Sequence, residues 1–217
     1  MKPAENLSPT PLEIVAIMFL CFGWFIANSI AAIFIGTEDM NFSDGTLLQI
    51  VLFEVFQGSL ALLVLRQRGY VLGDLIPAPR LQGIGTGVLL YVAVILADFV
   101  AMAVLGAHQP EQPIEHIMDA ARPSMVLVLL MALVNSFYEE VFVLGYVVRA
   151  MGKYGGSFAV GMSTLIRLAY HLYQGPMGAL FVVLFSVVLG AWYWRTRKLW
   201  PCVVAHMLGD VLPFLLH

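Results

Sequence analysis

The sequence of residues 124–148 is SMVLVLLMALVNSFYEEVFVLGYVV, an apolar run that contains two adjacent glutamates, Glu139 and Glu140. At ~1.5 Å per residue, a helix of this length crosses the ~30 Å hydrocarbon core of a bilayer. Carboxyl groups at membrane depth cost several kcal/mol unless a partner or a wet cavity receives them. The stretch therefore predicts a membrane-spanning helix that carries a functional site.

The rest of the chain has the same apolar character. Of its 217 residues, 60% are hydrophobic and only 12% are charged, and the mean hydropathy is +0.88. Soluble domains are about half apolar and a quarter charged, so a soluble globular protein is excluded. The net charge of -3 provides no basic face for nucleic acid.

We predict an all-α, polytopic transmembrane helical bundle of about seven spans, which forms a single integral-membrane domain over residues 1–217. A lipid-spanning sheet would need alternating polarity, whereas these runs are continuously apolar. The predicted helices cover residues 12–36, 45–65, 83–106, 124–148, 157–174, 177–194 and 200–216.

The basic residues predict the orientation of the bundle. Seven spans place nine of the eleven Lys and Arg residues on one face, namely Lys2, Arg66, Arg68, Arg80, Arg149, Lys153, Arg195, Arg197 and Lys198. The opposite face carries Glu38, Asp39, Asp44, Glu111, Glu115, Asp119 and Arg122. The positive-inside rule then places the N-terminus in the cytoplasm, residues 69–83 in a cytoplasmic linker and residues 108–123 in an outer loop. We expect a multi-pass protein embedded in the lipid bilayer of a bacterial inner (plasma) membrane.

Eight ionisable residues fall within the predicted spans: Glu54, Asp98, Glu139, Glu140, Arg167, His171, His206 and Asp210. Depths counted at ~1.5 Å per residue from the cytoplasmic ends place most of them in one slab of the membrane, at roughly 14–20 Å, with His206 just below it and Asp98 further out. Arg167 and His171, like His206 and Asp210, are four residues apart and share a helix face. Two carboxylates and two histidines can therefore meet in one pocket.

Two kinds of chemistry suit this set of side chains. A glutamate can act as general base on a water molecule with help from histidine, or mixed nitrogen and oxygen ligands can bind a divalent metal. A lone polar residue in a span is often only a hydrogen-bond partner between helices, which is the better interpretation of Asp98 and an equal alternative for Glu54. Two adjacent glutamates are harder to explain structurally.

Three stretches resemble the motifs of one protein family. They are EEVFVLG at residues 139–145, YHLYQG at residues 170–175, and His206 followed four residues later by Asp210. In this order and at one depth they resemble the CPBP intramembrane protease family, which includes the CAAX prenyl endopeptidases of the Rce1 type (CAAX prenyl protease 2) and bacterial Abi-like proteins. The resemblance covers a core of about residues 124–217.

The resemblance implies hydrolysis of a peptide bond within the membrane. It assigns Glu139 as the base that activates water, His171 as a residue that positions the water, and His206 with Asp210 as the group that stabilises the oxyanion. Glu140 has a supporting role. This chemistry needs no metal cofactor, and we prefer it to a divalent metal such as zinc.

The chain departs from the family pattern at three positions. Leu144 replaces the Arg that normally closes the first motif, Arg167 replaces the Phe that opens the second, and Asp210 stands where the third often has Asn. The first two changes move one positive charge to the next helix at similar depth. We therefore predict that Arg167 holds Glu140 as a charged partner and leaves Glu139 free for water.

The leading hypothesis is an intramembrane endopeptidase that acts on a membrane-anchored or lipidated protein or peptide. One alternative is a catalytically silent family member that works as an immunity or scaffold protein. The other is a small proton-coupled transporter, although the sequence lacks the matched, broken halves of such proteins. No nucleic-acid partner is expected, and the sequence leaves the oligomeric state open.

Overall fold

The computed structural model describes residues 9–38, 40–105 and 112–216, which form helices joined by short turns. Over these ranges there is no β-strand, so the predicted all-α bundle is confirmed. The α-helices are α1 (Pro11–Ile35), α2 (Asp44–Gln67), α3 (Leu81–Leu105), α4 (Pro113–Ala120), α5 (Met125–Glu139), α6 (Gly156–Ala169), α7 (Gly175–Thr196) and α8 (Trp200–Leu216).

Helix α5 continues without a break into a π-helix over Glu140–Val148. The change from α to π geometry falls between the two adjacent glutamates, and π-helical turns are frequent at functional sites. Short 3₁₀ turns cover Leu72–Asp74, Gly152–Tyr154 and Leu172–Gln174.

Helix starts follow ordinary capping chemistry. Thr10 Oγ1 accepts a hydrogen bond from the Glu13 amide at 3.2 Å, and Pro11 occupies the first helical position. Ser43 Oγ caps α2 in the same way by accepting from the Thr46 amide at 3.2 Å. Each cap satisfies an amide that has no partner within the helix.

Five helical segments in the described parts of the chain are long and apolar enough to cross a membrane: Pro11–Ile35, Asp44–Gln67, Leu81–Leu105, Met125–Val148 and Leu172–Thr196. The other two predicted spans, α6 and α8, are apolar but have only 14 and 17 residues. Large apolar side chains are exposed along the outside of the bundle, among them Phe19, Phe34, Phe56, Leu89 and Phe99. The chain is therefore an integral membrane protein whose outer surface faces lipid.

Helices α3 and α8 pack closely because small residues permit it. A Cβ atom added at Gly87 would lie 2.5 Å from Val204 Cβ and 2.8 Å from the Pro201 carbonyl oxygen. Small residues drive helix packing in membranes by letting two backbones approach each other. Helices α2 and α8 both pack on α5, which brings the glutamate pair to the centre of the bundle.

Two boundaries differ from the sequence prediction. The predicted helix 157–174 ends already at Ala169, and His171 lies in the turn before the next 3₁₀ segment. The outer stretch predicted as a loop contains helix α4, whose Ile117 and Met118 are buried. An eight-residue amphipathic helix escapes a search for apolar runs of membrane length.

Some predictions concern residues outside the described ranges. They are Lys2, Asp39 and Glu111, which contributed to the predicted orientation, and the start of the outer loop at residues 108–111. The cytoplasmic N-terminus and the single domain over residues 1–217 stay predictions.

Candidate active site

The ionisable residues of the spans share one internal cavity of about 490 Å³. Its wall is mostly apolar, and each of the eight α-helices contributes to it, α6 through Arg167 alone. Seven of the eight predicted residues line the cavity: Glu54, Asp98, Glu139, Arg167, His171, His206 and Asp210. Glu140 lies behind the wall and is fully buried. Successive residues of a helix point about 100° apart, which explains why only one glutamate of the pair faces the cavity.

Arg167 links the second motif to the glutamate pair. Its Nη2 atom donates to Glu140 Oε1 at 2.6 Å, and its Nε atom lies 3.5 Å from Glu139 Oε2. The guanidinium also lies over the ring of Phe185, 5.3 Å from the centroid. Arg167 is therefore in contact with both glutamates, as their estimated depths in the membrane predict, and all three side chains are buried.

Glu140 Oε1 is shared between two donors. Besides Arg167, His206 Nδ1 lies 2.7 Å from this atom. Because an ionised carboxylate only accepts hydrogen bonds, the proton of this contact belongs to Nδ1. Glu140 therefore fixes the imidazole ring of His206. The other ring nitrogen, Nε2, lies 3.8 Å from Glu139 Oε2 and 3.6 Å from Asp210 Oδ1.

Asp210 has a second neighbour besides His206. Asn135 Nδ2 donates to Asp210 Oδ2 at 3.1 Å, whereas the closest approach of Asp210 to His206 is 3.6 Å. The residue that orients His206 is thus Glu140, and Asp210 is held by α5. Asn135 lies one helical turn before Glu139, so its i, i+4 spacing was the signal in the sequence that could have identified it.

Tyr170 holds the cavity-facing glutamate. Its hydroxyl donates to Glu139 Oε2 at 2.6 Å, and its ring stacks on Phe22 of α1 with centroids 4.8 Å apart. Tyr170 belongs to the second motif, and no role was predicted for it. The predicted positioning residue was the adjacent His171, because a histidine at membrane depth is a more obvious candidate than a tyrosine.

His171 lies on the cavity wall beyond the end of α6. Its Nδ1 atom is 3.0 Å from the Arg167 carbonyl oxygen, and its ring packs between Tyr170 and Tyr173 at centroid distances of 4.6 Å and 6.2 Å. The main chain of Arg167, rather than a shared helix face, thus orients this imidazole. His171 stays a candidate through its position on the wall.

Glu54 approaches the site from α2. It is only 2% exposed and lines the cavity, and within the described residues its Oε2 atom has no hydrogen-bond partner. In the same ranges, no group of three or more His, Cys, Asp and Glu side chains has an arrangement that could hold a metal ion. Glu140, the carboxylate nearest to His206, already has Arg167 as its second partner.

A comparison with protein families bears on the same part of the chain. The family model described as type II CAAX prenyl endopeptidase Rce1-like matches residues 121–212. This range contains all three motifs and six of the eight ionisable residues of the spans; Glu54 and Asp98 lie outside it. No curated protein and no solved structure gives a significant match. Over residues 121–212 the chain is therefore similar to the Rce1-like family, as the three motifs predict.

Proposed function

We propose that this protein is an intramembrane endopeptidase in which Glu139 activates the hydrolytic water. The Rce1-like family is one of CAAX prenyl endopeptidases by its description, and the finer assignment rests on this chain's own geometry. The observation that carries it is the asymmetry of the glutamate pair. Glu140 is enclosed by Arg167 and His206, whereas Glu139 faces a cavity of about 490 Å³.

The proposed reaction uses Glu139 as both base and acid. Its carboxylate takes a proton from water, and the resulting hydroxide attacks the carbonyl carbon of the peptide bond. The negative charge that develops on the carbonyl oxygen is received by an N–H group of the doubly protonated His206 ring at Nε2. Protonated Glu139 then gives its proton to the leaving nitrogen, which restores the carboxylate and releases the amine.

Tyr170, Arg167 and Glu140 position these two groups. The hydroxyl of Tyr170 and the guanidinium of Arg167 lie at 2.6 Å and 3.5 Å from the same oxygen of Glu139, Oε2. Oε1 is then the oxygen of Glu139 that takes the proton from water. Glu140 performs the corresponding task for His206 by binding its Nδ1 atom at 2.7 Å.

The proposed substrate is a membrane-anchored or lipidated protein or peptide. Its support is the apolar lining of the cavity, which includes Phe22, Phe181 and Met177 beside the polar cluster. A wall of this kind accommodates a lipid chain or apolar side chains of a substrate segment. The location that we propose is a bacterial inner (plasma) membrane.

The test is a comparison of membrane proteomes from cells that carry the wild-type protein or Glu139→Gln. The amide keeps the shape of the side chain and removes the proton acceptor, so a precursor should accumulate while the protein itself remains at its normal level. Glu38→Gln is the matched control, because Glu38 is exposed and lies outside the cavity wall. Normal processing by Glu139→Gln would remove the base role and favour a silent, scaffold-like member of the family.

The histidines provide a second test of the same proposal. His206→Ala removes the oxyanion donor and should lower turnover by a factor on the order of 10² to 10³. His171→Ala should also remove most of the activity. If either purified variant cleaves substrate at a near-normal rate, the histidine that it lacks has no role in catalysis.

A further inference from the structure

Glu54 lies on the inner face of α2, opposite the glutamate pair. The buried residues of α2, which include Val51, Glu54, Gly58 and Ala61, form one stripe along the helix. A Cβ atom added at Gly58 would lie 3.1 Å from Tyr138, the residue before Glu139. Glu54 is one turn from Gly58 on the same face, so it points toward α5 at the level of the site.

One oxygen of this carboxyl group is buried without a hydrogen-bond partner. Glu54 is 2% exposed, and over the described ranges nothing hydrogen-bonds to its Oε2 atom. A buried polar atom that lacks a partner costs about 1–3 kcal/mol, which a packing role alone would not justify. Because the side chain lines the cavity, its partner can arrive from the cavity itself.

The cavity wall carries more carboxylates than cations. Its acidic members are Glu54, Asp98, Glu115, Glu139 and Asp210. Its only Arg or Lys among the described residues is Arg167, whose closest ion pair is with Glu140 behind the wall. The histidines are a smaller source of positive charge, and His206 is likewise bound to Glu140. The wall therefore attracts a cationic group and repels a free carboxylate.

The surroundings of Glu54 fit an organic cation on an apolar stem. Phe25 and Ile50 line the same cavity, and Ile50 precedes Glu54 by one turn of α2. A lysine buries its methylene chain against such a surface and places its ammonium group on a carboxylate. An inorganic divalent cation would need several converging donors, and the described residues provide no such group.

We infer that Glu54 is a specificity residue that binds the basic side chain of a lysine or arginine in the substrate, near the bond to be cleaved. The inference rests on the proposed function, since it assumes that the cavity receives a peptide. It specifies the chemistry of that peptide further: the peptide is a membrane-anchored segment that carries a basic residue near the bond to be cleaved.

The test separates binding from cleavage. The full-length protein is placed in lipid nanodiscs, and fluorescent palmitoylated peptides are offered in pairs that differ only by Lys or Gln at one position, scanned along the segment. Binding is measured with Glu139→Gln as the background, so that no turnover is needed. We expect at least one position at which Lys binds about tenfold more tightly than Gln, as a buried charge pair requires.

The decisive variant adds Glu54→Gln to this background. The preference for Lys over Gln should then collapse to within about twofold, whereas Glu38→Gln, a matched change outside the cavity wall, should leave it intact. A preference that survives Glu54→Gln, or no preference at any position, overturns the inference. Selective binding without cleavage by the protein with Glu139 restored would instead count against the proposed function alone.

Discussion

Arg167 and Glu140 form an ion pair of 2.6 Å between α6 and the π-helix, with both side chains no more than 1% exposed. The contact joins the first motif to the second. In the pattern that the motifs resemble, the positive charge stands at the position of Leu144, so this chain reaches the glutamate pair from a different helix. Glu140 has His206 on the same oxygen, and loss of the arginine would therefore disturb the contacts of both Glu140 and His206.

We predict that Arg167→Phe strongly lowers protein level or activity, because removal of one partner of a buried ion pair costs roughly 3–5 kcal/mol. Addition of Leu144→Arg should restore part of the loss by returning the charge to its usual position. Leu144→Arg alone should be harmful, since Leu144 is buried and the change places a second cation in the interior of the bundle. The measurement is a double-mutant cycle on precursor cleavage and membrane protein level. A double mutant no better than Arg167→Phe would refute the idea that the charge has been relocated.

Tyr170→Phe removes the hydroxyl that donates to Glu139 at 2.6 Å. A hydrogen bond to a charged group contributes about 1.5–3 kcal/mol, so kcat should fall roughly ten- to hundredfold with little change in KM. The control is Tyr193→Phe, which alters a buried tyrosine that lies outside the cavity wall. If KM rises while kcat is unchanged, Tyr170 contacts the substrate and does not position the base.

Activity should survive stringent chelation. His171 and His206 are 35 residues apart in the sequence, so they do not form the i, i+4 histidine pair of a dedicated zinc site, and no thiolate cluster accompanies them in the sequence. Purified protein is treated with a strong chelator, and its metal content and cleavage rate are measured together. A stoichiometric metal whose removal abolishes activity, and whose return restores it, would contradict the prediction.

Glu13 connects three parts of the bundle near the start of α1. Its carboxylate accepts from the Tyr70 hydroxyl at 2.6 Å, the Tyr146 hydroxyl at 3.1 Å and Arg68 Nε at 3.1 Å. Glu13→Ala leaves these donors without their acceptor and should lower the free energy of unfolding by about 1.5–3 kcal/mol. Thermal unfolding in detergent measures the loss, with Glu38→Ala as the control. Equal stability of the two variants would mean that the three hydrogen bonds to Glu13 contribute little to the free energy of unfolding.

The bundle and the meeting of the charged residues could be predicted because both depend on simple distances along helices. Apolar runs give the spans, and a fixed rise per residue places Arg167 level with Glu139 and Glu140. The three motifs, in turn, led to the family that the comparison finds over residues 121–212.

The end of α6 could not be predicted in the same way. The sequence remains apolar and aromatic from Ala169 to Tyr173, and the next glycine is Gly175. The helix stops because tertiary contacts hold the following turn: the ring of Tyr170 stacks on Phe22, and the Tyr173 amide donates to Ser29 Oγ at 3.2 Å. Such contacts with α1 leave no local pattern. The π-helix after Glu139 has no recognisable sequence signal either.

The early end of α6 has a consequence for the lipid. Its 14 residues extend only ~21 Å, against a hydrocarbon thickness of ~30 Å. Phe158 and Leu165 on this helix are exposed, so lipid covers the helix. The helix is shorter than the hydrocarbon core is thick. Hydrophobic mismatch of this kind draws the two leaflets together. We therefore expect the membrane to be thinner beside Arg167, which would give water and polar peptide a shorter path to the glutamates than across an unperturbed bilayer.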